Sequence, residues 1–332
     1  MTSPKNPLPE GFSVLGPGKA IPVFPFFALV FVSWAVWIPA GARMAGKLPF
    51  YFPTEIAWLG IFTPVLLGSY FIYRYGGSQG LKLHFARFVK WRFAPALWFF
   101  AVFAMPLVAL ATASLFSLAV EPILSDGWTR LLDGELMSFS LKRYDENAYE
   151  SIGMFSSLNA WMASGALAFA FGSLALGFID GGISEEPGWR GFAYPILQDR
   201  WGALPAALMI GLVWAAWHLG PRQWAILFGQ GTDAFLALLP GHAMLYLVGV
   251  TPLAIIFAWL YENSKGSLLA VFVLHNSFNQ TSLAVSTLFP KAPVMLGIIA
   301  FLWLMVAIIL RTRGWRCFGQ RATPTVATSL QH

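Results

Sequence analysis

Charge is the scarcest property of this 332-residue sequence. Asp, Glu, Lys and Arg make up 11% of it, where a soluble globular chain carries about a quarter. With 57% hydrophobic residues and a mean hydropathy of +0.64, the chain cannot clothe itself in a wetted surface, which excludes an ordinary soluble domain. Its single cysteine, Cys317, excludes an internal disulfide. No cleavable signal is expected: the N-terminal region is polar and rich in Pro and Gly, and the first apolar run is of span length. The net charge is +6, but the basic residues gather beside apolar runs. That is a topology signal rather than a nucleic-acid-binding face. No internal repeat is visible, and no HExxH zinc-protease signature occurs.

What is present is a series of apolar runs long enough to cross a bilayer. Eight are read, at roughly 22–42, 54–74, 94–120, 153–179, 203–220, 241–261, 266–284 and 293–311. The expected fold is an all-α, polytopic transmembrane helix bundle of about eight spans. Its expected divisions are an N-terminal segment 1–20, N-terminal spans 21–150, a membrane domain 151–311 holding the polar residues discussed below, and a disordered tail 312–332. The segment Gly80 to Trp91 alternates basic and apolar residues at helical spacing and reads as an amphipathic helix lying in the membrane interface. The 121–152 loop is acidic and the tail is basic. Lys and Arg fall about two to one on the side of the termini, which places both termini in the cytoplasm and the acidic loop outside.

Ionisable and amide side chains inside apolar spans are costly, so they mark candidate functional sites. Three groups stand out. In Ser184-Glu185-Glu186-Pro187-Gly188-Trp189-Arg190-Gly191, Ser184 is placed to cap a helix after Gly181-Gly182, with Pro187 in its first turn. Glu186 and Arg190 are four apart and can pair; Glu185 points about 100° away and is free for another task. Trp214 and His218 share a helix face, as do His275 and Asn279. Taken singly, each has a plain reading: a cap with a salt bridge, an interfacial histidine, and hydrogen bonding between helices. Taken together they make a sharper demand. A helix from Glu185 to Arg200 that turns near Pro205 and returns to His218 brings Glu185 and His218 to similar depth, and the helix of His275 and Asn279 can complete one polar centre. A full extra crossing would erase the positive-inside bias, so this motif helix is expected to be broken or re-entrant.

These residues resemble the CPBP family of intramembrane proteases, also called the ABI or type II CAAX-prenyl endopeptidase family. Its pattern is EExxxR, then FxxxH, then HxxxN. Here it reads Glu185-Glu186-x-x-x-Arg190, Trp214-x-x-x-His218 and His275-x-x-x-Asn279, with Trp214 where the family usually has Phe. The wording EEPGWRG looks like the common bacterial form, which implies a bacterial plasma membrane. The resemblance covers about residues 150–285. It implies an intramembrane endopeptidase acting on a membrane-associated protein or peptide, with Glu185 activating water, His218 assisting, His275 and Asn279 binding the oxyanion, and Glu186 and Arg190 orienting the site. The chemistry allows this independently. A carboxylate in an apolar surrounding makes a better base, and imidazole and amide groups can donate to a developing oxyanion.

Three other readings stay open. Zinc could sit on Glu185, His218 and His275 with one open position, since the family has been read both as metalloprotease and as glutamate protease. The polar cluster could only pack helices in a non-catalytic module of bacteriocin-immunity or scaffold type. A transporter is the third, disfavoured by the missing repeat. The semi-apolar stretch 221–240, directly after His218, is expected to be a loop that gates the cavity.

Overall fold

The computed structural model describes residues 23–50, 52–53, 56–119, 123–135, 172, 174–175, 177–289 and 293–318. Among these the chain is helical, with no strand. Phe24–Met44, Pro95–Ala119, Thr232–Asn263 and Val294–Arg313 are each long and apolar enough to cross a membrane, and the bent pair Ala203–Trp217 with Pro221–Gln230 makes a fifth candidate. Leu268–Leu288 is also long enough. Its His275, Asn276, Asn279 and Gln280 lower its hydropathy, so the helix that carries chemistry is the one composition alone discounts. The many exposed large apolar side chains, such as Leu118, Leu132 and Leu304, fit a protein whose solvent is lipid. The expected span at 153–179 and the N-terminal segment 1–20 lie almost wholly outside the described residues.

The segment Gly80 to Trp91 lies on a short helix of its own. Helical geometry is interrupted at Gly77 (φ 66°, ψ −166°) within Ala57–Ala86, and the second helix that starts there ends in a tight 3₁₀ turn at Arg87–Val89. Its polarity is inverted: Gly80, His84 and Arg87 are buried while Leu83, Phe85 and Val89 are exposed. Arg87 Nη1 donates to the Tyr261 hydroxyl at 2.7 Å, so the basic stripe that suggested a wet face instead fixes this helix to its neighbour.

The tail expected to be disordered from residue 312 is ordered at least to Phe318. Val294–Arg313 ends at Gly314 (φ 80°), and the next residues dock onto the bundle. The carbonyls of Arg316 and Trp315 accept the N–H groups of Ala203 and Leu204, both at 2.9 Å. Those are the first amide donors of the helix Ala203–Trp217, which has no side-chain cap of its own. Buried Glu262 completes the latch, taking the Phe318 N–H at 2.7 Å, Gln198 Nε2 at 2.5 Å and the Tyr194 hydroxyl. Residues 319–332 lie outside the described residues.

Candidate active site

Residues 178–201 form one helical stretch of changing pitch. Two π-helical segments, Phe178–Ile183 and Pro187–Ala193, flank a short α-helical Ser184–Glu186. The wide turns have a local cause. Pro187 has no N–H to give the preceding turn, and Gly181 sits at φ +124°, a conformation that L side chains rarely adopt. The helix continues through Gly181, where its pitch is distorted. Ser184 is not a helix N-cap as expected: it has helical backbone angles, and its hydroxyl accepts the Gly181 N–H at 2.9 Å. Pro187 likewise lies inside the stretch rather than in a first turn. Gly188 explains the small residue after it, because a Cβ there would stand 2.4 Å from the Pro64 carbonyl oxygen.

The chain then reverses at Gly202 (φ 86°, ψ 173°), three residues before the expected Pro205, and returns as Ala203–Trp217. Trp214 Nε1 donates to Glu185 Oε2 at 2.6 Å, and Trp189 Nε1 points to the same oxygen at 3.3 Å. The hairpin demanded by the spacing thus exists, and the indole of Trp214 is its bridge. On its other side the same ring lies 5.6 Å, centroid to centroid, from His218. Trp217 next to His218 donates to Ser33 of the first helix at 2.8 Å, which ties the return helix to the N-terminal bundle.

Glu186 and Arg190 pair as the spacing anticipates, with Arg190 Nη1 3.0 Å from each carboxylate oxygen. Both side chains are buried, at 0% and 1% exposure. The guanidinium lies between the rings of Trp214 and Phe257, at 4.6 and 4.7 Å, a geometry that suits a flat, delocalised cation. Glu186 Oε1 also meets His275 Nδ1 at 2.8 Å. Since a carboxylate accepts, Nδ1 carries a proton, and Nε2 is the nitrogen turned toward Glu185 Oε1, 4.0 Å away. That separation is too long for a direct hydrogen bond.

Asn279 stands one turn beyond His275. A Cβ placed on Gly181 would lie 2.8 Å from His275 Nε2 and 2.9 Å from Asn279 Nδ2. The two groups therefore converge on one point at hydrogen-bonding distance, and only the missing side chain of Gly181 keeps that point clear. Glu185, Glu186, Arg190, His218, His275 and Asn279 all belong to this one cluster. Reading the sequence missed two of its parts: the indoles that hold Glu185, and Gly181 as the wall of the cradle. The i, i+4 spacing of Glu185 to Trp189 was the available signal for one of the indoles.

The zinc reading fares differently. Among the described residues no three His, Cys, Asp or Glu side chains are grouped so that they could hold a metal ion. Glu185 Oε2 is turned to two indole N–H groups instead. The residues do not fit a metal in this arrangement. The expected loop after His218 is also different: residues 221–242 form two helices, Pro221–Gln230 and Thr232–His242. The first lies against Phe24–Met44, where a Cβ on Gly41 would be 2.5 Å from Trp224 Cβ.

Residues 165–281 match the family model described as type II CAAX prenyl endopeptidase Rce1-like. Over that segment the chain is similar to the CPBP family. All six cluster residues fall inside the matched segment. A curated relative named "CAAX prenyl protease 2" from Methanococcus maripaludis is 25% identical over 146 residues, covering 41% of this chain and 51% of that protein. The chain thus spans about half the length of the curated relative it matches. The family match and the apolar helices together support an integral membrane protein.

Proposed function

We propose that this protein is an intramembrane endopeptidase that hydrolyses a peptide bond of a membrane-associated protein or peptide, without a metal. The observation that carries the reading is the convergence of His275 Nε2 and Asn279 Nδ2 beside Gly181, with Glu185 Oε1 4.0 Å from that imidazole. Glu185 takes a proton from water as its oxygen adds to the scissile carbonyl carbon. His275 and Asn279 donate to the oxyanion that forms. The proton then passes, with His218 assisting, to the leaving nitrogen as the C–N bond breaks, giving a carboxylic acid and an amine.

Charge balance supports His275 as a donor. Glu185 and Glu186 bring two negative charges to a buried site and Arg190 returns one. A second proton on His275 closes the balance, placing Nδ1–H on Glu186 and Nε2–H in the cradle. His218 suits the assisting role, because its Nδ1 lies 2.8 Å from the Trp214 carbonyl. A carbonyl only accepts, so Nδ1 carries the proton and Nε2 keeps the lone pair.

The name of the archaeal relative makes a quenched peptide ending in a prenylated Cys-aliphatic-aliphatic-X sequence the first probe, beside its unprenylated form and a transmembrane peptide. Asn279→Ala is expected to lower kcat about 10²- to 10³-fold with little change in KM, as loss of one oxyanion donor does. Wild-type kcat in Asn279→Ala would remove the cradle from the mechanism.

A further inference from the structure

His218 closes the C-terminal end of Ala203–Trp217 as its capping residue. A residue there has no following turn to brace its side chain, and one hydrogen bond to the Trp214 carbonyl leaves the ring free to swing about that bond. The bracing comes from another helix. The ring of Tyr246 stacks on His218 with centroids 4.4 Å apart and planes at 29°. Behind Tyr246 stands His242, also at 4.4 Å and at 34°. His242 Nε2 in turn lies 3.1 Å from the Ala215 carbonyl, so this nitrogen is the protonated one. The three rings form a stack anchored at both ends on the same helix terminus, at Trp214 through His218 and at Ala215 through His242. Terminal carbonyls of a helix lack partners within it, so His242 also caps the helix that presents His218. His242 and Tyr246 are one turn apart and enter a π-helical segment, Ala243–Val248, which sets their rings side by side.

We propose that Tyr246 is a positioning residue that holds the His218 ring with its Nε2 aimed into the cluster, and that His242 clamps Tyr246 from behind. The proposal rests on the catalytic reading of His218. It assigns the helices after His218 a part in building the site: the ring stack at the end of Thr232–His242 fixes the imidazole.

The test uses the full-length protein in detergent, with two independent readouts. Ring-nitrogen NMR on histidine-labelled protein reports the His218 tautomer without any cleavage. Wild type and Tyr246→Phe should both show the Nδ1–H form, and Tyr246→Leu should show averaged tautomers. On a cleaved peptide, Tyr246→Phe should stay within about twofold of wild type. Tyr246→Leu should lose about tenfold to a hundredfold in kcat at nearly unchanged KM, the scale expected when a catalytic group is misplaced. His242→Leu, which leaves the tyrosine ring in place, should shift the tautomer signal the same way and cost kcat to a smaller degree. Equal loss in Tyr246→Phe and Tyr246→Leu would overturn the stack in favour of the hydroxyl. A raised KM with kcat intact would make Tyr246 a substrate contact. A wild-type tautomer and kcat in either leucine variant would overturn the proposal. A wild type that cleaves nothing would defeat the catalytic reading, while the NMR arm still decides the positioning.

Discussion

Glu185→Gln is expected to lower kcat about 10²- to 10⁴-fold, the range for loss of a general base, while the protein remains folded. Glutamine keeps the shape of glutamate, and its amide oxygen can still accept the Trp214 and Trp189 indoles that now reach Glu185 Oε2 at 2.6 and 3.3 Å. The structural role survives the exchange; the ability to take a proton from water does not. Rates on a cleaved peptide and a thermal unfolding curve in detergent, measured on the same preparation, separate the two. A matching fall in unfolding temperature would instead mean that Glu185 serves the hairpin. An unchanged kcat would mean that another group activates the water.

Arg190→Leu should show the opposite pattern, a loss of stability by about 3–5 kcal/mol, the cost of leaving one member of a buried ion pair alone. Glu186 is fully buried, and Arg190 supplies the cation 3.0 Å from both of its oxygens. Leucine leaves that carboxylate facing His275 alone. Arg190→Lys should rescue poorly. An ammonium cannot reproduce the planar fork, nor lie flat between Trp214 and Phe257 as the guanidinium does at 4.6 and 4.7 Å. Pairing Arg190→Leu with Glu186→Leu removes both charges and should recover part of the stability, although His275 then loses its Nδ1 partner. Denaturant or thermal unfolding in detergent checks all three, and wild-type stability in Arg190→Leu would contradict the ion pair.

The legible parts of this molecule were those set by local spacing. The Glu186–Arg190 pair follows from a separation of four on a helix, and the hairpin follows from Glu185 and His218 lying at similar distances from one turn. The helical, membrane-embedded class follows from the scarcity of charge. Features set by contact between distant segments were not legible. The inward face of the Gly80 to Trp91 segment looked wet because Arg87 is basic, yet its partner Tyr261 lies 174 residues away. The docked residues after Gly314 looked disordered because the glutamate that holds them, Glu262, is itself 56 residues from Phe318. Ser184 looked like a cap because Gly181-Gly182 looked like an end. Only the structure shows the helix continuing past Gly181 at a positive φ. The cradle was half legible. The i, i+4 pair of His275 and Asn279 marks one wall, but that Gly181 leaves the space between them depends on how two helices meet.

The central claim is that Glu185 and the His275–Asn279 cradle hydrolyse a peptide bond without a metal. Its most direct test is cleavage by chelator-dialysed protein whose metal content is measured by elemental analysis, with wild type beside Glu185→Gln on one peptide. The predicted result is a wild-type rate unchanged by dialysis at a metal content far below one ion per chain, and no cleavage above background by the variant. Activity lost on dialysis and restored only by added zinc, or equal cleavage by the two proteins, would contradict it.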